Sequence, residues 1–556
     1  METMEQTSMQ RYFPSTDGNV EDRQQIVSWI EQLLSGMDAL KDPDRVHLKG
    51  DKQRGEQFYQ NLIENSHIPY RSGSMEQVNE KLIDLMKDHP FHTKRFITNI
   101  LPMASTPGIV GMMAAMLLNG NNLWDVYGPA GAEAEVSVIS MMSKLIGYDH
   151  TKSGGYTTWG GQGAVFTGLR AAIAKFAPYA MERGIPNHLY AFTSEAAHYS
   201  LLKSVEAVGM GRDKLVKVAC NTDSSMNMED LKEKMKRVIE LGGVPIYIVA
   251  TTGTTDAMGI DDLAEVYETS EKIANAHGLR RPHIHADSAL GGFFAFFNTY
   301  DFEHNPLGFT PQALQALEQI SGKLNKLALA DSLCFDFQKL GQTPYVTSLF
   351  LVKDAADLEP MDLAPEETPY VGHRGYGQYH TGYTLECSRM ASAVSMMAAL
   401  TAFGIEGYQR LLGQFVEVSC AVREGLAQIP GVEVVNPDNP GITTLFRIYP
   451  EGAPRYQQEI SGTCSIYDLK RNNMLNEMLF ERLGERRNEM FFGDTKKHLN
   501  VRSAEGETLS LYASKVFIIS PYTERKDVPD IIQYVKERVA ETFKNWEQLM
   551  YMRGAV

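Results

Sequence analysis

Lys339 closes the stretch "SLCFDFQK", where an apolar, β-prone run meets a bend marked by glycine and proline. A lysine at the mouth of a buried strand either snorkels to water or is held there for its amine. Asp287 ends a second apolar run, "HIHADSALGG", and the small residues Ser288 and Ala289 follow it. A carboxylate so placed is costly unless a cation or hydrogen-bond donors meet it, and its small neighbours leave room for a flat ring. His198 opens a helix after the run "HLYAFTS", where capping and core roles compete with catalysis. In "TTWGGQGAVFTGLRAAIAKF", Gly160, Gly161 and Gly163 stand just before a helix, so several amide N–H groups can face one anion. This is not a dinucleotide fingerprint, because Phe166 stands where the last glycine belongs, nor a P-loop, which needs GK[ST]. Thr251 and Thr252 end "YIVATT" and offer hydroxyls at a strand end, a common place for turn threonines.

The combination is more specific than its parts. An anion cradle, a buried carboxylate, an imidazole able to stack and a strand-end amine are the groups that hold pyridoxal 5'-phosphate. The cradle takes the phosphate and the lysine forms a Schiff base with the aldehyde. The carboxylate keeps the pyridine nitrogen protonated, which makes the ring an electron sink.

These groups need a scaffold that brings strand ends together. Residues 126–395 alternate short apolar strands ("HLYAFTS", "VPIYIVATT", "HIHADS", "DSLCFDF") with amphipathic helices such as "AEAEVSVISMMSKLIG" and "LAEVYETSEKIANAHG". That alternation predicts a mostly parallel sheet covered on both faces, with ligands at the carboxyl ends of its strands. Residues 1–125 read as an N-terminal helical segment after a polar start, and 396–556 as a small C-terminal α+β domain. The apolar stretch "ILPMASTPGIVGMMAAMLL" is broken by Ser, Thr and two prolines and reads as a buried loop and helix, not a membrane span.

The same motifs carry a resemblance. In order from "DHPFHTKRF" to "IISPYTERKDVPDIIQYV", most of the chain resembles the pyridoxal-phosphate-dependent group II amino-acid decarboxylases, the family of aromatic amino-acid, glutamate and related decarboxylases. The resemblance implies fold type I, an α/β architecture with a mostly parallel seven-stranded sheet flanked by helices. It implies Lys339 as the Schiff-base lysine, Asp287 at the ring nitrogen, Ala289 on one ring face and His198 stacked on the other. Gly161, Gln162 and Gly163 are implied at the phosphate, and Thr251, Asp336 and Gln338 within the cofactor shell. Tyr370, in "EETPYVGH", falls where the family carries a catalytic loop tyrosine, although Tyr376, Tyr379 and Tyr383 stand nearby. Arg389, in "TLECSR", is read as structural. A homodimer with active sites at the subunit interface is implied as well. Two departures stand out: Gln338 replaces the histidine usual before the lysine, and Gln162 replaces a hydroxyl residue of the phosphate loop.

The expected reaction is removal of the α-carboxylate of an L-amino acid, aromatic or acidic, with the aromatic class preferred. "SALGGF" and "KLGQTPYVTSL" also resemble the phosphosphingosine lyase branch, which leaves a retro-aldol cleavage open, as is an oxidative outcome giving an aldehyde. Bulk properties agree with a globular enzyme: 556 residues, 43% apolar and 22% charged. A formal charge of −16 with no basic stripe argues against nucleic-acid binding. Five widely spaced cysteines form no CxxC pair and suggest neither a disulfide framework nor a metal site. With no secretory signal in "METMEQTSMQRYFPSTDG", the expected location is cytoplasmic, with no membrane partner.

Overall fold

The computed structural model describes residues 9–364, 367, 379 and 381–552. It divides into two units, residues 1–96 with 486–491, and residues 97–485 with 492–556. In the first, α1 (Val20–Leu40), α2 (Glu56–Asn65) and α3 (Met75–Met86) are amphipathic helices with defined starts. Asn19 caps α1 by accepting from Glu21 N and Asp22 N, and Ser74 and Gln77 form a capping box at α3. Helices α1 and α3 pack closely, since a Cβ on Gly36 would stand 2.2 Å from Ile83 Cδ1.

The second unit is built on a seven-stranded sheet. Its strands are β1 (Gly154–Thr158), β2 (Leu189–Ser194), β3 (Leu215–Val218), β4 (Val244–Thr251), β5 (His283–Asp287), β6 (Ser332–Asp336) and β7 (Ser348–Val352). They lie in the order β1-β7-β6-β5-β4-β2-β3. Only β7 runs against its neighbours, pairing antiparallel with β6 and β1. Every residue of β5, β6 and β7 is buried. These strands are continuous apolar runs because helices cover both faces. The covering helices include α4 (Thr106–Leu118), α5 (Pro129–Ile146), α6 (Gly161–Phe176), α7 (Ser200–Ala207), α8 (Met228–Glu240), α9 (Leu263–Ala276) and α10 (Pro311–Leu324). Small residues on α6 let it lie against the sheet: a Cβ on Gly168 would stand 2.5 Å from Tyr247 Oη.

After the sheet, α11 (Ala393–Ala427) leads into an antiparallel arrangement of β8 (Val432–Val434), β9 (Thr443–Ile448) and β10 (Ala513–Phe517). Residues 493–495 pair with β10, and α12 (Ile466–Glu485) and α13 (Val528–Met552) complete the region. The stretch expected to be buried around α4 is only half so. Met112 and Ala115 are buried, whereas Ile109, Val110, Met113, Met116, Leu117 and Leu118 are 40–68% exposed. Its apolar residues run all round the helix, so one face packs on the unit and another is left open.

Candidate active site

All the strand ends that carry chemistry meet at one edge of the large sheet. Strand β4 ends at Thr251 and β5 at Asp287, and these two are direct partners in the parallel register. Next to them β6 ends at Asp336, and the chain turns so that Lys339 N donates to Asp336 O at 2.9 Å. That turn brings Lys339 Nζ to 3.0 Å from Asp336 Oδ2. Because β7 is antiparallel, its first residue, Ser348, lies directly across from Asp336. The Ser348 hydroxyl donates to Asp336 Oδ1 at 2.5 Å. The sequence offered no sign of this serine, since its role depends on a register that a strand–turn–strand pattern does not reveal.

Asp287 is buried, and its Oδ1 accepts from Ala289 N at 3.3 Å and Cys334 Sγ at 3.5 Å. Burial lowers the basicity of Lys339, but the carboxylates of Asp336 and then Asp287 outweigh it and push its pKa up to about 12. His198 lies after β2, just before α7. Partial burial lowers its pKa, and Asp287, Lys339 and Asp336 are the charges that act on it most. Its ring centroid is 4.1 Å from that of Tyr199. Asp287, Asp336 with Lys339, and His198 therefore converge although they come from three separate stretches of chain.

The glycine turn faces the same edge. Gly160, at φ +129°, holds a backbone conformation that favours glycine, and leads into α6. Gly163 N and Ala164 N donate back to Gly160 O at 2.8 and 3.4 Å. Gly163, expected at an anion, thus spends its N–H within the turn, while Gly161 and Gln162 begin the helix with theirs free of such bonds among the described residues. A Cβ on Gly161 would stand 3.2 Å from Ala289 Cβ and from Asp336 Oδ1, so the missing side chain keeps this cradle open. The Gln162 side chain does not face the cradle: its Nε2 donates to Ser200 O and Ser204 Oγ on α7, both at 3.0 Å. Gln338 is better placed. Its Oε1 accepts from Thr347 N at 2.9 Å, and its Nε2 lies 3.7 Å from where a Cβ on Gly160 would be.

Thr251 N donates to Asp261 Oδ2 at 2.7 Å, while its hydroxyl is buried without a partner among the described residues. Asp261 also accepts from Met226 N at 2.6 Å, and its complete burial raises its pKa to about 7. Arg389 is held in a buried, two-pronged ion pair with Glu135, at 2.8 and 2.9 Å. Tyr379 donates to the same carboxylate at 2.5 Å, and the Tyr383 hydroxyl donates to Gly155 O at 3.2 Å. Tyr370 and Tyr376 lie outside the described residues. Among the described residues no cluster of histidine, cysteine or acidic side chains is arranged to hold a metal, and no helix is long and apolar enough to cross a membrane.

The sequence profile of the family described as the pyridoxal-dependent decarboxylase conserved domain matches residues 60–448. The chain belongs to this family. It is a pyridoxal-phosphate-dependent amino-acid decarboxylase of fold type I. Among curated relatives, L-2,4-diaminobutyrate decarboxylase of Acinetobacter baumannii is 28% identical over 426 residues, covering 72% of this chain and 74% of the relative. An L-aspartate decarboxylase of Metarhizium robertsii is 24% identical over 369 residues, covering 66% and 68%. Mouse CSAD in apo form superposes with a TM-score of 0.74 at 18% identity, over 93% of this chain and 99% of that one. The structure of Oryza sativa TDC with PLP and tryptamine gives 0.74 at 16% identity, over 95% and 99%.

The residues present fit the family's cofactor. An unpartnered hydroxyl on Thr251, a cradle that a side chain on Gly161 would narrow, and a carboxylate and an amine at adjoining strand ends are features an empty structural core would not keep.

Proposed function

We propose that this decarboxylase acts on a short, four-carbon L-amino acid with a charged side chain, aspartate or 2,4-diaminobutyrate. The convergence of Lys339, Asp287 and the glycine turn at one sheet edge is the observation that supports a decarboxylase site in this chain. Two curated relatives, named for 2,4-diaminobutyrate and aspartate, support the substrate class, since both molecules share a four-carbon skeleton. This reading keeps the acidic half of the sequence expectation, adds a basic side chain that the expectation did not include, and sets the aromatic half behind it.

When bound, pyridoxal phosphate supplies an electron sink for the pair left behind as CO2 departs. The protein contributes orientation and charge. Lys339 is the residue whose amine would hold the cofactor aldehyde. Asp287, with its second carboxylate oxygen unengaged by the described residues, keeps a proton on the ring nitrogen. Its burial makes that charge count for more than it would in water. Ala289 and His198 would flank the ring, and the free amides of Gly161 and Gln162, with Gln338 Nε2, would meet the phosphate. Thr251 would offer its unpartnered hydroxyl to the same shell, and Asp336 would complete it from the end of β6. Gly163 supports the turn from within. Tyr370 returns a proton to Cα. Tyr379 and Tyr383 already donate to Glu135 and Gly155, which favours a tyrosine earlier in the loop for that task.

A pair of subunits completes the arrangement, a reading supported by the open apolar face of α4. The test is CO2 release from each L-amino acid and common non-protein ones by the cofactor-loaded enzyme. The highest kcat/KM is expected for aspartate or 2,4-diaminobutyrate. Preference for tyrosine or tryptophan would overturn the substrate class. Release from none, or an aldehyde in place of the amine, would overturn the reaction.

A further inference from the structure

We infer that Asp336 is a positioning and proton-accepting residue: it holds the Lys339 amine toward the site and takes a proton from it when that amine bonds to the cofactor aldehyde. The inference rests on Lys339 being the anchor, as proposed above.

Asp336 grips Lys339 twice. Its backbone oxygen accepts from Lys339 N at 2.9 Å, and its Oδ2 stands 3.0 Å from Nζ. The carboxylate is itself fixed, since it is 2% exposed and its Oδ1 takes the Ser348 hydroxyl at 2.5 Å from across the antiparallel pair. The charged and titratable groups facing Lys339 are Asp336 and Cys334 on β6, Asp287 on β5, His198 before α7, and Tyr345 in the turn. Of these only Asp336 has an oxygen within hydrogen-bond distance of Nζ among the described residues. Asp287 acts on it as a charge at longer range.

An ammonium has no lone pair and cannot attack a carbonyl. One proton must leave Nζ first, and Asp336 Oδ2 is the base in reach. The freed lone pair forms the bond to the aldehyde carbon. A second proton leaves nitrogen for the former carbonyl oxygen, Asp336 returns the first to the same oxygen, and water departs. The third proton stays on nitrogen, now doubly bonded to carbon. The carboxylate ends as it began, so the cycle needs no other reactant.

The experiment compares Asp336→Asn with the wild type in two measurements. In the first, the cofactor-free proteins are treated with an amine-acylating reagent across a range of pH, and mass spectrometry reads labelling of Lys339 against Lys272, whose side chain is 77% exposed. Wild-type Lys339 is expected to become reactive only at higher pH than Lys272, a comparison that needs no variant. In Asp336→Asn, Lys339 labelling at fixed pH is expected to rise by roughly tenfold for each pH unit its midpoint falls, with Lys272 unchanged. In the second, pyridoxal phosphate is added and growth of the visible absorption band is followed. The variant should begin to form the band at lower pH, yet form it more slowly than wild type at high pH, where both amines are free and only the wild type has a carboxylate to carry the proton that nitrogen sheds once the C–N bond has formed.

Wild-type Lys339 labelling that tracks Lys272 at every pH would overturn the hold on the amine. Identical band kinetics in the two proteins would overturn the proton transfer. Absence of the band from both, with labelling still shifted, would sink the Lys339 anchor and the transfer step while leaving Asp336's grip on the amine standing.

Discussion

Two buried ion pairs in this molecule are built on opposite plans. Glu135 receives both prongs of Arg389, the backbone and hydroxyl of Thr157 at 2.7 Å each, and the Tyr379 hydroxyl. Arg389 in turn reaches Asn122 O and Thr381 Oγ1, both at 2.8 Å. Burial alone would raise the Glu135 pKa, but Arg389 and these donors hold it below the ordinary carboxylate range. The side chains of Asp336 and Lys339 share one contact, one hydroxyl supports the carboxylate, and the lysine side chain keeps 23% of its surface. A pair whose carboxylate has both oxygens fully engaged fixes a fold. A pair with partners missing leaves an amine able to do something else.

Substitution breaks this contrast in opposite ways. Lys339→Ala is expected to remove all decarboxylation and the visible band while moving the denaturant midpoint less than Glu135→Gln does, because the lysine is partly open and Asp336 keeps its serine. Retention of the band would assign the anchor to another lysine. Asp287→Asn should still bind cofactor but lose on the order of 10²–10³-fold or more in kcat, as removal of a buried electrostatic stabiliser does. Near-normal turnover would refute its place at the ring nitrogen. Glu135→Gln should reverse the pattern, costing about 3–5 kcal/mol in urea unfolding because Arg389 is left buried without its charge partner. A cost below about 1 kcal/mol would mean the pair is no more structural than a surface one.

A smaller effect concerns burial that outweighs a nearby counter-charge, Asp256. His498 is buried, Nε2 lies 3.0 Å from both the Tyr456 hydroxyl and Val435 O, and burial lowers its pKa to about 4. In the unfolded chain it titrates near 6.5. Between those values the unfolded chain binds more protons, so stability falls as pH drops from about 6.5 toward 4 and this contribution is constant above. Unfolding curves at a series of pH values should show a shallower acid decline for His498→Gln. An unchanged slope would assign the decline to other groups, the buried His283 and His285 first among them.

The strand ends were legible because parallel, doubly covered strands are continuous apolar runs. "HLYAFTS", "VPIYIVATT", "HIHADS" and "DSLCFDF" overlie β2, β4, β5 and β6, and Lys339, Asp287 and Thr251 follow from where those runs stop. The strands that escaped are informative. "GGYTT" of β1 has little apolar signal, and "SLFLV" of β7 hides behind a turn marked by Gly341 and Pro344. With β7 unseen, Ser348 was invisible and so was the support it gives Asp336. Gln162 misled for a similar reason: residue type said that an amide can meet a phosphate, but only packing against α7 decides where the amide points. The apolar run around α4 was legible as helix, whereas its exposure depends on what the rest of the unit leaves uncovered.

The antiparallel return of β7 sets a length constraint on evolution and on engineering. Asp336 and Ser348 face each other because the connection between their strands has a fixed number of residues. Adding or deleting one there, with pairing re-formed one step along, would turn the serine to the opposite face of the sheet. Loop grafts across this hairpin should therefore conserve residue count before residue identity, a rule that substitution scanning alone would never expose.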